Sequence, residues 1–141
     1  AQDDPTVIEP SSGTVAVSNR YADFFDAVGR MVAKEAPEAV LSFYVYANYT
    51  QPPTWTDRKL SPNLVAVVAP IRYCRLHATG DPVCPGRVQQ VEMMNRWAKV
   101  ASRLGYYNYM YNLADGSLPM FKFTPCKVEF PFLAERGLNY M

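Results

Sequence analysis

Apolar positions repeat with two different periods along this chain. From Asn19 to about Lys34, Tyr21, Phe24, Phe25, Val28, Met31 and Val32 recur at helical spacing and form one stripe. Asp23, Asp26, Arg30 and Lys34 fall mostly outside it. Ser18 is placed to cap this helix and Pro37 to end it. A second helix is predicted from Val88 to Leu104, with Val91, Met94, Trp97, Ala98 and Ala101 inward and Gly105 as its stop. A third runs from about Lys127 to Arg136, with Val128, Phe132 and Leu133 inward and Gly137 closing it.

Other stretches read as strands. From Ala39 to Tyr49, Leu41, Phe43, Val45 and Ala47 share one face, and Ser42, Tyr44, Tyr46 and Asn48 share the other. Asn63 to Ile71 is a nearly continuous apolar run, the pattern of a strand covered on both faces. From Gly105 to Asn112, Tyr107, Tyr109 and Tyr111 alternate with Tyr106, Asn108, Met110 and Asn112. Neither face of that stretch is plainly apolar, so it is either a tyrosine-rich core strand or a strand facing a ligand. Leu138 to Met141 begins one more strand. Ala1 to Gly13 and Gln51 to Pro62 read as loops. Arg72 to Arg87 is a long loop that holds Cys74, His77 and Cys84.

Strands alternating with helices imply a parallel sheet of β/α units. The strand-to-helix connections after Tyr49, Ile71 and Asn112 are long, and the helix-to-strand turns are short. That asymmetry marks a barrel with its site at the C-terminal ends of the strands. The fold class read is α/β: a partial (β/α)8 TIM-type barrel with parallel strands. A closed barrel takes eight strands and typically about 250 residues. The 141 residues therefore read as a fragment of one domain, about half a barrel, whose first partner is the missing remainder.

Composition narrows the function classes. The chain is 49% hydrophobic and 19% charged, with a net charge of +1, which provides no field for nucleic acid or an anionic membrane. No apolar run approaches the roughly 20 residues of a membrane span. The opening AQDDPTVIEP lacks the basic and apolar regions of a signal peptide. With one histidine, a multi-histidine zinc site is excluded. The spacing of Cys74, His77 and Cys84 fits no standard ligand pair, so no metal and no cofactor is assigned. Cys74 and Cys84 are either a short disulfide in an oxidising compartment or two free thiols.

One series of motifs carries a resemblance. It runs from QDDP through the Phe24 to Lys34 helix to YVYANYTQPP, then SPNLVAVVAPIRYCRLH, the NRWAKVA helix, YYNYMYN and a closing AERGL. This order resembles the domain of unknown function 4838 proteins, of the glycoside hydrolase family 163 type, over nearly the whole chain. The resemblance implies the C-terminal half of a (β/α)8 barrel from secreted or cell-surface bacterial proteins that degrade glycans. It also implies an extracytoplasmic location, a carbohydrate partner and endo-β-N-acetylglucosaminidase action on N-glycans.

On that resemblance, Asp3 and Asp4 are the catalytic candidates, standing at the end of a strand that precedes them. One carboxylate would orient a substrate acetamido group while the other protonates the leaving oxygen. The alternative is a solvated turn before Pro5, and Glu9 is a second candidate acid. Tyr44, Tyr46, Asn48 and Tyr49 supply aromatic faces and hydrogen bonds suited to sugars, and Arg72 and His77 follow the next strand. Tyr109, Tyr111, Asn112 and Asp115 stand at the open end of the tyrosine strand, where Asp115 is a second carboxylate or a turn cap. Tyr107 is assigned to the core, as is Trp97, while Trp55 is free to stack on sugar. The function implied is hydrolysis of a β-linked N-acetylhexosamine. A non-catalytic glycan-binding barrel and an inactive scaffold piece are the alternatives.

Overall fold

The computed structural model describes residues 3–9, 12–55, 57–109 and 123–140. A short antiparallel hairpin, β1 (Ile8–Glu9) and β2 (Thr14–Val15), leads into α1 (Ser18–Glu35). Then come β3 (Leu41–Val45), a 3-10 turn (Ala47–Tyr49), β4 (Leu64–Val68), α2 (Pro85–Val100), β5 (Leu104–Tyr106), α3 (Phe123–Glu135) and β6 (Leu138–Tyr140). The last four strands pair in parallel, in the order β3-β4-β5-β6. The expected β/α alternation is therefore present, and the strand order never reverses as it does in a doubly wound sheet. No described helix is long and apolar enough to cross a membrane.

The pleat sorts the sheet into two unlike faces. Phe43 and Val45 of β3, Leu64, Ala66 and Val68 of β4, Leu104 and Tyr106 of β5 and Leu138 of β6 share one buried core with Ala22 of α1, Met93, Met94 and Trp97 of α2, and Leu133 of α3. All three helices thus lie on the same face. Ring contacts seal it: Phe25 stacks on Phe43 at 4.8 Å, and Trp97 meets Phe43 edge-on at 6.0 Å. The Trp97 indole N–H donates to the Thr50 carbonyl at 2.8 Å, so its polar edge is satisfied inside the core. The opposite face carries Ser42 and Tyr44 of β3, both exposed, with buried Val65 and half-buried Val67 of β4. Among the described residues no helix covers that face.

Helix α1 departs from its predicted stripe. Phe24 and Met31 are 60% and 66% exposed, whereas Ala22, Asp26 and Gly29 are buried. The contact is too close for large side chains: a Cβ on Gly29 would stand 2.9 Å from Leu64. Asp26, expected outside the stripe, is buried because its carboxylate accepts from the Ser61 amide at 2.7 Å and from Arg30 Nε at 3.0 Å. Val17, not Ser18, occupies the cap position, and it makes no side-chain cap bond.

Boundaries moved elsewhere too. α2 starts inside the predicted cysteine loop, where Pro85 needs no N–H partner in the first turn. It ends at Val100, so Gly105 belongs to β5 rather than to a helix stop. β3 stops at Val45, and the chain turns at Ala47, whose φ is 50°, so Tyr46 and Asn48 do not share a strand face. α3 begins at Phe123, takes Pro131 in stride, and buries Cys126, Glu129 and Leu133, while Val128, expected inward, is 56% exposed. Gly137, with φ of 72°, follows α3 as predicted.

Candidate functional site

The connections at the C-terminal ends of β3, β4 and β5 bring three arrangements together. The first is a cavity of about 860 Å³, within the usual size of a small-molecule site. Its walls come from the β1–β2 hairpin, the start of α1, the loops after β3 and β4, and one flank of α2 that includes Gln89, Glu92 and Arg96. Glu9 lies in this wall with no exposure, its carboxylate accepting from the Gln51 amide at 2.9 Å. Tyr73 stands nearby. Burial and then the Glu9 carboxylate push its phenol up to about 12, so it stays protonated and able to donate.

Asp3 and Asp4 line the same cavity, but each already has a structural task. Asp3 accepts from the Asn19 amide at 2.9 Å, from the Arg20 amide and from Arg20 Nε at 3.1 Å. It therefore caps α1 in place of Ser18, matching a carboxylate to the positive end of the helix. Asp4 accepts from the Thr6 amide at 2.8 Å and the Thr6 hydroxyl at 2.7 Å, the turn before Pro5 that the sequence offered as the alternative. Those bonds from Thr6 hold the Asp4 carboxyl below its ordinary value. A general acid must arrive protonated and release its proton to the leaving oxygen. Both carboxylates of this pair are already engaged by N–H or O–H donors of the chain itself.

The second arrangement is aromatic. Tyr44 and Tyr107, 51% and 47% exposed, meet edge-on at 5.7 Å across the bare face of the sheet. Tyr107 in turn meets Tyr109 at 5.1 Å, and the Arg75 guanidinium lies 5.5 Å from the Tyr109 ring. Burial first, then the neighbouring phenols of Tyr46 and Tyr107, raise the Tyr109 hydroxyl above its ordinary value. Tyr107, assigned to the core from sequence, is thus on the surface. The core residue is Tyr106, because β5 puts Leu104 and Tyr106 on the helix side.

The third arrangement lies in the loop after β4. Cys74 Sγ is 3.2 Å from His77 Nδ1, and Cys84 closes the group. Burial pushes the Cys74 thiol up, but hydrogen bonds from His77, Leu76 and Cys84 outweigh it and bring the thiol down to about 6. Beneath this loop a closed polar network is buried. Glu129 Oε1 accepts from the Thr79 amide at 2.8 Å and the Thr79 hydroxyl at 2.7 Å, and the Arg87 guanidinium sits 3.4 Å away. Arg87 also donates to the His77 carbonyl at 2.7 Å and to Gln90 at 2.5 Å, and the Tyr106 hydroxyl joins through Thr79 at 3.1 Å. Arg87 and Glu129 are 2% and 0% exposed, so this pair persists only because its remaining donors and acceptors are met.

The candidates read from sequence do not converge on one point. Arg72 rims the cavity with Asp3 and Asp4. Tyr44, Tyr46 and Tyr109 belong to the aromatic face. Tyr49 instead stacks on Tyr21 of α1 at 3.7 Å, and the Asn48 carbonyl accepts from the Val17 amide at 2.9 Å, so both secure the hairpin and α1. His77 belongs to the cysteine group. Tyr111, Asn112 and Asp115 lie outside the described residues. Trp97 is in the core, and Trp55 packs against that core under Arg58, whose guanidinium is 4.4 Å from its ring. Tyr73 carries no local motif in the sequence, and neither do Glu92 and Arg96. A helical spacing of Gln89, Glu92 and Arg96 was their only signal.

No curated protein and no solved structure matches the chain. A family model, described as a domain of unknown function, DUF4838, matches residues 2–141, and the chain belongs to that family.

Proposed function

We propose that this chain is the glycan-recognising part of a (β/α)8 barrel of the glycoside hydrolase type, acting on β-linked N-acetylhexosamine as an endo-β-N-acetylglucosaminidase does. One observation carries the reading. The sheet is wound in one direction with all its described helices on one face, and its other face presents Tyr44, Tyr107 and Tyr109 toward the C-terminal strand ends. Purely parallel sheets are covered on both faces, and closure into a barrel does this while leaving a site at the strand C-termini. Tyrosines there offer flat apolar surface to the C–H faces of sugars and hydroxyls to their rims.

A second reading, glycan binding without hydrolysis, is favoured by the engagement of Asp3 and Asp4 in capping and turn bonds. One experiment separates the two. The full-length protein is titrated calorimetrically with chitotriose and incubated with N-glycans, whose products are followed by mass spectrometry. Tyr44→Ala combined with Tyr107→Ala is expected to weaken binding at least about tenfold, since truncating an aromatic anchor of a binding site costs about 2 kcal/mol or more. Asp4→Asn is expected to leave binding and any turnover unchanged. Turnover selects the hydrolase, and binding without turnover selects the second reading. Absence of glycan binding, or binding indifferent to the tyrosine changes, would overturn both.

A further inference from the structure

We propose that Cys74, His77 and Cys84 form a zinc site with one coordination position open. Their ligand atoms, two Sγ and one Nδ1, all lie within 4.8 Å of one another. A tetrahedral zinc with Zn–S near 2.3 Å and Zn–N near 2.0–2.1 Å sets its ligand atoms about 3.5–3.8 Å apart. The group therefore needs only small side-chain adjustments to close on the ion. Two thiolates and an imidazole are a soft set that suits zinc over magnesium or calcium. The sequence spacing argued against a metal because no two of these residues form a familiar pair. The fold supplies the proximity instead, by doubling the loop back onto the start of α2.

The backbone that bears the three ligands is anchored at each of them. Cys84 is the residue at the N-terminal cap of α2. Cys74 packs on the first turn of that helix, where a Cβ on Gly86 would stand 3.6 Å from its amide. The His77 carbonyl accepts from buried Arg87 at 2.7 Å, and Thr79, two residues on, is fixed to buried Glu129. Partners behind the ligands that hold their orientation are what a metal site requires. A Cys74–Cys84 disulfide is the competing fate, but it leaves the aim of the His77 ring at Cys74 without a purpose. Three protein ligands leave the fourth position to water or an incoming group. Cys74 also lines the large cavity and His77 is exposed, so that position is reachable from solvent.

The test uses the full-length protein, reduced and freed of metal, titrated with cobalt(II) and then zinc(II). One cobalt per chain is expected, with the intense visible bands of a tetrahedral ion and a thiolate charge-transfer band, both abolished by zinc. Cys74→Ser, Cys84→Ser and His77→Ala should each weaken cobalt binding by at least about tenfold, while Cys126→Ser should not. His77 is exposed, so His77→Ala tests the site without disturbing the core, and circular dichroism checks the fold of every variant. Binding that ignores His77→Ala and Cys74→Ser would overturn the proposal. So would absence of cobalt binding, or protein taken directly from its cells with Cys74 and Cys84 joined and no zinc.

Discussion

Tyr106 and Tyr107 are neighbours with identical side chains and opposite fates. Tyr106 is 1% exposed on the helix-covered face, with its hydroxyl in the Thr79–Gln90–Arg87 network. Tyr107 is 47% exposed on the bare face, where its ring meets those of Tyr44 and Tyr109. The same division runs through the sheet: Phe43 and Val45 point into the helices while Tyr44 between them points away. Buried packing is concentrated on one face, and exposed tyrosine rings stand on the other. A strand needs both kinds of residue at alternate positions for this, and its pleat does the sorting.

The largest expected effect lies on the covered face. Trp97→Ala should cost about 3–5 kcal/mol in urea denaturation, from the cavity it leaves and the Thr50 carbonyl it strands. A loss below about 1 kcal/mol would mean that the helix layer does not carry the stability assigned to it. The matched pair of tyrosine changes comes next. Tyr106→Phe should cost about 1–3 kcal/mol, because it removes a hydroxyl from a buried network that includes a charged group. Tyr107→Phe should stay within about 0.5 kcal/mol, as surface changes usually do. Equal effects would break the contrast between the faces. The smallest effect concerns alkali. The Tyr73 phenol has a folded value of about 12 against an ordinary 10.0, so the fold favours its protonated form. That contribution is complete below pH 10 and is lost as the pH rises toward 12, with the unfolded chain ionising first. Tyr73→Phe should flatten the fall of stability across this window, measured as midpoint against pH; an unchanged slope would place Tyr73 in water rather than against Glu9.

Much of the architecture was legible because it depends on local periodicity. The alternation of helices and strands, the parallel pairing and the core role of Trp97 follow from spacing that any packed arrangement would respect. The buried face of α1 was legible only in part: Tyr21 and Phe25 pack on the core as the stripe predicts, but the fully buried positions are Ala22, Asp26 and Gly29, and apolar content does not reveal a close approach. The tyrosine strand was read too long, and Tyr107 was placed inside, because a stretch with two amphipathic faces gives no local sign of which face will be covered. The turn at Asp4 was legible as the alternative before Pro5, but Asp3 was not legible as the cap of α1, since that bond spans 16 residues.

The sequence by itself determined what each segment can become. Residue order sets the dihedral preferences, the strand pleat and the stop at Gly137, all interactions of a residue with its near neighbours. Only the tertiary structure decided which face of the sheet is buried, which carboxylates are already occupied, and that Cys74, His77 and Cys84 meet. These depend on contacts between residues far apart in the chain, where close packing and the demand for satisfied buried polar groups select one arrangement among many that the local pattern allows.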